Sequence, residues 1–461
     1  MNNYGQHFKW PGANLDHFYI YFVIAGIIAS YLTYKSNSKY KLEGFLLSFY
    51  FLTGNINELL TIKIPGFSFF EIQPLRLIYL LLLFFIVRKT LLSKEKLPSA
   101  SKRRTPLFMI PLALYITLLT ISIGVNVDDV GAGDALKTIL ESFAFVIILI
   151  GLKLMADQPT YDLIGKSIII GAIVTSVVAI IQLGLEPYFM RIGDNRPAFG
   201  SVIRSNGIFS TEYFHSYFLI IAIVWVFTTV KNNLLKTGLI ILFSIGVVTS
   251  FMRMSWIILA LVLVTYLIFI NKVALEKILF AGLAGLAMLL CVTIFYYQDI
   301  VNSAVVKDRL TDSVGGRKGY YGMVLDNIHK KPWLGYGGLK NEVYYINLLR
   351  ITGDRDRATA TTGSLHSGYF SSLFEYGVPA FVCFTLFVML SAFYYSRSFH
   401  NNLYFVIPFL ASIIFMIGNL TNTFLFLSYV SVLYAVHIGM GMGIHKIEET
   451  KVFHSKTEYL K

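Results

Sequence analysis

The residues best suited to chemistry in this sequence are basic side chains that stand in polar stretches between long apolar runs. In chain order they are Arg191, Arg196, Arg204, Arg253, Arg317, Lys318, Arg357 and His366, followed by the acidic Glu375. Arginine suits a phosphate because its planar guanidinium makes bidentate contacts and keeps its charge. An imidazole beside such arginines suits a general base that faces a phosphorylated substrate. The pattern predicts a site in which arginines bind a phosphate group and His366 accepts a proton.

The same residues also have a structural explanation. Taken singly, each arginine could be a solvated loop charge or an anchor for lipid headgroups, and a lone histidine at a membrane surface is more often structural than catalytic. It is the group as a whole that favours a site. No HExxH, CxxC or carboxylate cluster accompanies His366, so the sequence predicts neither a metal nor a cofactor.

The elements that must position these residues are membrane helices. The 461-residue chain is 56% hydrophobic and 14% charged, with a mean hydropathy of +0.64, whereas soluble domains carry about 25% charged residues. Its two cysteines, Cys291 and Cys383, both lie in apolar runs and offer no disulfide framework. We therefore expect an all-α polytopic membrane protein with about 12–13 transmembrane helices. The predicted spans are 17–34, 44–62, 74–88, 107–124, 138–155, 164–184, 213–230, 236–252, 255–271, 278–296, 368–395, 403–419 and 424–443.

Loop charges predict the orientation of these spans. With the N-terminus outside, the Lys and Arg residues of the short loops gather on the inner side, as the positive-inside rule requires. The net charge of +13 is then mostly a topology signal, and nucleic acid is not an expected partner. Four regions follow: membrane helices with the outer arginine loop 185–213 in 1–296, a large outer loop containing short helices in 297–367, further membrane helices in 368–443, and a cytoplasmic tail in 444–461.

Three segments of the large loop and its exit sharpen the site. The first, from Gly315, predicts a short amphipathic helix with Tyr321, Val324, Leu325 and Ile328 on one face and Arg317 and Lys318 near its N-terminus. An anion docked on that N-terminus would offset the unfavourable position of the two cations. The second, Pro-Trp-x-Gly-x-Gly at 332–337, reads as a turn that ends this helix. The third, 366–377, places His366 at the mouth of a span with Glu375 further along.

The order of these motifs resembles the bacterial O-antigen ligase and O-antigen polymerase superfamily. Arg253 at the outer end of a span is followed by two spans and a large outer loop. That loop carries Arg317 with Tyr320 and Tyr321 nearby, then the 332–337 turn, and then His-Ser-x-x-Phe-x-x-x-x-Glu-x-Gly at 366–377. The resemblance covers about 250–377. Methionine on both sides of Arg253 and the stretch 339–362 depart from the family pattern.

The resemblance implies a metal-independent inverting glycosyltransferase of the bacterial inner membrane, with its active site facing outward. Its donor would be a glycan on undecaprenyl diphosphate, its acceptor a sugar hydroxyl, and a chain-length regulator a further partner. His366, Arg317 and Arg253 would be catalytic, while Arg191, Arg196, Arg204, Lys318, Arg357 and Glu375 would bind the substrate and its pyrophosphate.

Three functions stay open at this point. O-antigen polymerases typically carry, in each of two outer loops, an arginine followed eleven positions later by glycine. The sequence resembles them at Arg196/Gly207 and at Arg357/Gly368, and this resemblance favours a repeat-unit polymerase. A ligase that attaches polymer to a lipid A core is the first alternative. The alternative from another class is a polysaccharide flippase or transporter, although transporters place ionisable residues near the bilayer midplane.

Overall fold

The fold is all-α, as expected for a polytopic membrane protein. The computed structural model describes residues 15–55, 62–63, 71–72, 74–88, 106–192, 197–199, 202–269, 312–338, 365–398, 402–424 and 429–458. Within them, five helices are long and apolar enough to cross a membrane. Shorter apolar helices of 10–17 residues accompany them.

The described residues form fourteen α-helices. In chain order they are α1 (Leu15–Lys35), α2 (Lys41–Thr53), α3 (Pro74–Val87), α4 (Met109–Val125), α5 (Val127–Val130), α6 (Ala132–Met155), α7 (Gln158–Gly184), α8 (Glu212–Thr229), α9 (Asn233–Thr249), α10 (Arg253–Phe269), α11 (Asp312–Ile328), α12 (Gly368–Ser396), α13 (Val406–Thr421) and α14 (Tyr429–Glu458). Leu403–Phe405 form a 3-10 turn before α13. Two antiparallel hairpins complete the described elements: β1 (Ile62–Lys63) with β2 (Glu71–Ile72), and β3 (Pro197–Phe199) with β4 (Val202–Ile203).

The predicted spans overlap these helices, except that 278–296 lies outside the described residues. The largest differences are at helix ends. The run predicted at 44–62 stops being helical at Thr53, where Gly54 takes a left-handed conformation with φ 54°. α7 begins at Gln158 instead of 164, because the Asp157 side chain caps it by accepting from the Thr160 N–H at 2.7 Å. α14 continues as helix to Glu458, through most of the predicted tail.

Hydrogen bonds between connecting segments define one end of the helix bundle. At one end, the Ser205 N–H donates to Thr249 O at 3.1 Å, and the Gly368 N–H donates to Asn422 O at 3.0 Å. These contacts join the α7–α8 connection to α9, and the start of α12 to the end of α13. We call this the site end, because the described residues of the predicted site lie there. It corresponds to the outside in the predicted orientation.

The core centres on α8, which is buried from His215 to Phe227. α8 is therefore buried on every face over this range, as expected for an apolar helix that is enclosed by other helices. Its Trp225 Nε1–H donates to His437 Nε2 of α14 at 2.9 Å. Gly165 of α7 makes room for the indole, since a Cβ there would lie 2.3 Å from the Trp225 ring. The central position of α8 brings its N-terminal turns to the middle of the site end.

Candidate active site

The connection between α7 and α8 is held by one buried glutamine. Gln182 Oε1 accepts from the Asn206 N–H at 3.1 Å and from the Gly207 N–H at 2.9 Å. Its Nε2 donates to Phe189 O at 2.9 Å and to Gly207 O at 3.0 Å. Gly207 has φ +56°, and a Cβ there would lie 2.0 Å from Thr175 Oγ1. The loop is thus fixed at this point, and only glycine fits it.

Arg191 lies inside this loop and fastens it. The residue is only 4% exposed. Its Nε donates to Pro187 O at 2.6 Å and its NH2 donates to Arg204 O at 2.9 Å. Burial lowers the pKa of Arg191 to about 10, opposed by the charge of Glu212, so the side chain remains a cation at neutral pH. These contacts give Arg191 a structural role that the sequence did not reveal, while its predicted contact with a phosphate stays a prediction.

Arg204 is paired with the first residue of α8. Its NH1 lies 2.6 Å from Glu212 Oε1, and their side chains are 20% and 5% exposed. A carboxylate suits the N-terminus of a helix, where the backbone dipole is positive. The pair therefore holds a guanidinium at the N-terminal end of α8, at the middle of the site end.

Arg253 is the first residue of α10 and is exposed. The turn before it contains Phe251 with φ 52°. Ser255, two residues further, contacts α8 through a hydroxyl pair, Ser255 Oγ to Ser216 Oγ at 2.7 Å. Arg253 therefore lies at the site end. It is close to the turn of α8 that contains Ser216 and follows Glu212.

His366 precedes α12 and is partly buried, in a left-handed conformation with φ 54°. Two tyrosines of α11 contact it. The Tyr321 hydroxyl donates to His366 O at 3.4 Å, and the Tyr320 ring meets the imidazole edge-on at 5.9 Å between centroids. The next residue, Ser367, caps α12 by accepting from the Phe370 N–H at 3.4 Å.

Among the described residues, three that are not glycine have positive φ: Met190, Phe251 and His366. Each lies within two residues of a predicted site residue, or is one. Such backbone conformations are uncommon outside glycine and persist where the surroundings impose them, often at functional sites. This shared feature supports the candidate site independently of residue type.

α11 corrects two predictions. It begins at Asp312, so Arg317 and Lys318 lie in its second turn and not at its N-terminus. The proposed anion on that N-terminus therefore loses its reason, because the dipole effect falls off within the first turn. The buried face is also displaced by one residue from the predicted one, since Leu325 is 58% exposed. The residues that pack inward are Tyr320, Met323, Val324 and Asn327.

Arg317 lies one helical turn before the two tyrosines that contact His366. Residues three and four apart share a helix face, so α11 relates the backbone of Arg317 to His366. Tyr320, Met323 and Val324 form a small apolar cluster with Tyr336, Leu365 and Phe374, which joins α11 to the start of α12. This cluster is separate from the main core.

The remaining predicted site residues are either buried or lie outside the described part of the structure. Glu375 is 9% exposed and lies inside α12, beside Tyr376. Arg196 and Arg357 lie outside the described residues, as do the side chains of Arg317 and Lys318. Gly368, which follows Arg357 by eleven positions, has no room for a side chain, because a Cβ would lie 1.9 Å from Asn419 Oδ1.

The N-terminal turns of α8 connect the described members of the site. Glu212 binds Arg204, and Ser216 binds Ser255 near Arg253. The Tyr217 hydroxyl accepts from Asn422 Nδ2 at 3.3 Å. Asn422 O in turn accepts from the Gly368 N–H, two residues after His366. The first two turns of α8 thus bond directly to Arg204, and they bond to segments that lie within two residues of Arg253 and of His366.

Sequence reasoning missed the residues that make these connections. Gln182, Glu212 and Asn422 each stand within or beside an apolar run, close to a predicted span boundary. A polar side chain in that position was the available signal, since buried polar groups in membrane helices are bonded and often functional.

Part of the chain matches a known protein family. Residues 238–385 match a family model described as O-antigen ligase. The predicted resemblance to the O-antigen ligase and polymerase superfamily is confirmed. The matched segment contains Arg253, Arg317, Lys318, Arg357, His366 and Glu375. No curated protein matches the chain.

The family match supports a membrane glycosyltransferase activity of the O-antigen ligase and polymerase type. Several helices able to span a membrane, together with this match, fit a multi-pass protein of the bacterial inner membrane. Lipid-linked glycan and an acceptor are the substrates that this match suggests.

Proposed function

We propose that the protein transfers a glycan from undecaprenyl diphosphate to a sugar hydroxyl at the outer leaflet. The observation that carries the proposal is the setting of His366. It sits in a left-handed conformation at the site end, in contact with Tyr320 and Tyr321 of the helix that bears Arg317. Arg253 and the Arg204–Glu212 pair stand on the neighbouring turns of α8 and α10.

The chemistry assigned to these residues is a direct displacement. The acceptor hydroxyl oxygen forms a bond to the anomeric carbon of the donor, and the bond from that carbon to the diphosphate oxygen breaks. His366 takes the hydroxyl proton, and the lipid diphosphate leaves with both electrons of the broken bond. Arg253 and Arg317 stabilise the charge that develops on the diphosphate. A single displacement of this kind inverts the anomeric centre.

We propose that the reaction needs no metal. Among the described residues, no three His, Cys, Asp or Glu side chains come close enough to bind one ion. Arginines would then supply the positive charge that a divalent cation supplies elsewhere. We expect activity to survive EDTA.

Polymerisation of repeat units is our preferred role. Gly207 and Gly368, the glycines of the two Arg-to-Gly spacings, each occupy a position too crowded for a side chain. A structural requirement at both positions supports reading the spacing as a real pattern. Ligation is the second candidate, because the matching family model is described as O-antigen ligase. A deletion strain separates the two roles: single repeat units left on the carrier lipid indicate a polymerase, and long polymer left there indicates a ligase.

The test of the activity itself is transfer in liposomes. Purified protein is reconstituted with a lipid-linked glycan donor and an acceptor, and both product and donor distribution across the bilayer are measured. Product without transport is the expected result. Movement of the donor across the bilayer without any product would replace the enzyme with a flippase.

Orientation is tested by thiol labelling from outside. Trp333 is 75% exposed at the site end, while Asn233 begins α9 at the opposite end and is exposed. An impermeant reagent should label Trp333→Cys in intact spheroplasts and Asn233→Cys only after lysis. The reverse pattern would contradict an outward-facing site.

A further inference from the structure

α12 is broken two residues after Glu375. Gly377 has φ 87° and ψ 176°, far from helical values, and Pro379 follows it. Pro379 has no N–H, so Glu375 O loses its usual partner four residues on. The Val378 N–H also turns away from Phe374 O and donates to Pro332 O at 2.8 Å. Two carbonyl groups are thereby released inside a helix that is long enough to cross the membrane.

The turn after α11 satisfies the released groups. The Tyr336 N–H donates to Phe374 O at 3.0 Å, and the Gly337 N–H donates to Glu375 O at 2.6 Å. The fit is close, since a Cβ on Gly335 would lie 2.5 Å from Phe374 O. A Cβ on Gly377 would lie 2.6 Å from Trp333 O. The Pro-Trp-x-Gly-x-Gly motif thus supplies the hydrogen bonds that the broken helix lacks. They matter because unpaired backbone groups are costly in lipid.

The C-terminal turn of α4 holds both parts of this junction. Ser122 Oγ lies within hydrogen-bond distance of Glu375 O, at 3.0 Å, and of Leu334 O. It therefore touches the broken helix and the turn with one hydroxyl group, which is buried. α4 lies outside the segment that matches the family model.

Asn126 adds a second contact from the same helix end. Its Nδ2 donates to Ser122 O at 2.8 Å and to Gly335 O at 3.4 Å. Its Oδ1 accepts from Lys331 Nζ at 2.7 Å, and the same amine lies 3.6 Å from Asp129 Oδ2. Lys331 is the residue at which the turn begins.

We infer that Ser122 and Asn126 are positioning residues that set the place of His366 for transfer. The turn is continuous with α11, whose Tyr320 and Tyr321 contact His366, and the first part of α12 begins two residues after His366. α11, the turn and this first part of α12 form one unit around the small apolar cluster. Ser122 and Asn126 bond this unit to α4, and so fix His366 relative to Arg253 at the start of α10 and Arg204 in the α7–α8 connection.

The inference rests on the proposed function and predicts a specific kinetic effect. Ser122 and Asn126 contact the unit from the end of α4, and neither is proposed to contact substrate. Loosening the unit should therefore lower the rate of transfer more than substrate binding, because a displacement of about 1 Å can reduce a rate by about a hundredfold.

The first test compares hydroxyl deletions on α4. Ser122→Ala should lower kcat about tenfold with KM changed less than twofold, and Ser122→Thr should restore most of kcat. Thr120→Val is the matched control, since the Thr120 hydroxyl donates to Ile116 O of its own helix at 2.8 Å and, among the described residues, to no other segment. Equal losses in Ser122→Ala and Thr120→Val, or no rescue by threonine, would overturn the inference.

A second pair uses half-exposed side chains, so that folding is not at risk. Lys331→Gln should lower kcat about threefold by releasing Asn126. The native Lys330 amine bonds to Asn327, at the end of α11, at 3.0 Å, so Lys330→Gln should leave kcat unchanged. A larger effect from Lys330→Gln than from Lys331→Gln would count against a positioning role for Asn126.

Amide hydrogen exchange separates failure of the inference from failure of the proposed function. Peptides covering 331–338 and 374–379 should exchange faster in Ser122→Ala than in Thr120→Val. If the wild-type protein transfers no glycan, the proposed function falls, and exchange alone still decides whether Ser122 holds the junction. Identical exchange in both variants would refute the inference whatever the activity.

Discussion

Two segments at the site end are built in different ways. The α7–α8 connection is held by side chains that bond to backbone, mainly Gln182 and Arg191. The α11–α12 segment is held by backbone bonds across a helix break and by aromatic contacts around His366. The first segment lies outside the family match and the second lies within it.

The difference teaches how the site divides its tasks. In the α7–α8 connection, the buried guanidinium of Arg191 is bonded to carbonyl groups. The connection is therefore fixed in place and keeps positive charge near α8. The second segment presents an imidazole in a strained conformation, on a unit assembled from three chain segments. We expect chemistry to depend on the second segment, and stability and donor affinity to depend on the first.

Replacing the imidazole should give the largest effect. His366→Ala is expected to lower transfer by about a hundredfold or more, which is the usual contribution of a positioned acid or base. Expression and donor binding should remain near wild type, because the backbone of His366 makes the contact with Tyr321. The measurement is single-turnover transfer in liposomes.

His329→Ala is the control for this change, since His329 is exposed at the end of α11. It should keep full activity. Wild-type transfer by His366→Ala would remove the base assignment and make Glu375 the next residue to test, despite its burial.

The guanidinium groups come next. Arg253→Lys and Arg317→Lys keep a positive charge but lose the bidentate fork. Each should lower kcat between about tenfold and a hundredfold, as expected when one donor to a developing charge is lost. Full activity of both lysine variants would mean that charge alone suffices at these positions, or that neither residue contacts the diphosphate.

The α7–α8 connection should respond differently to substitution. Gln182→Leu removes four hydrogen bonds and leaves buried backbone groups of Asn206 and Gly207 without their partner, at about 1–3 kcal/mol for each unsatisfied group. We expect a clear loss of thermal stability and a higher KM for donor, with kcat reduced only a few-fold. A loss confined to kcat would erase the contrast between the two segments.

How far the sequence predicts this arrangement depends on the kind of interaction. Hydropathy located the spans because lipid imposes a length and a polarity on each one. The break in α12 was not predicted, since Gly377 and Pro379 stand in an otherwise continuous apolar run. The 332–337 turn was read as a simple helix end. The residues it bonds to are 38 to 46 residues away in sequence and are joined through backbone groups. Gly335 and Gly377 mark a close approach, but residue type does not say which segment approaches.

The site shows the same limit. Arg253 and His366 were singled out from residue type and position, and both lie at the site end. Ser122 and Gln182 were not, because one serine in an apolar helix has many possible bonds and only the packed structure selects them. The burial of Arg191 was equally hidden, since a loop arginine is usually solvated.

The smallest expected effect tests the register of α11, which the sequence placed one residue away. Val324 is fully buried against the small apolar cluster, whereas Leu325 is 58% exposed. Val324→Ala should destabilise the α11–α12 unit by about 1–3 kcal/mol, as for other buried truncations. Leu325→Ala should change stability by less than about 0.5 kcal/mol, because it removes little buried surface. Amide exchange of the 320–328 peptide measures both. Because α11 carries the tyrosines that contact His366, Val324→Ala should also slow transfer slightly, and Leu325→Ala should not. Greater sensitivity at Leu325 would restore the originally predicted face and move Tyr320 away from the imidazole.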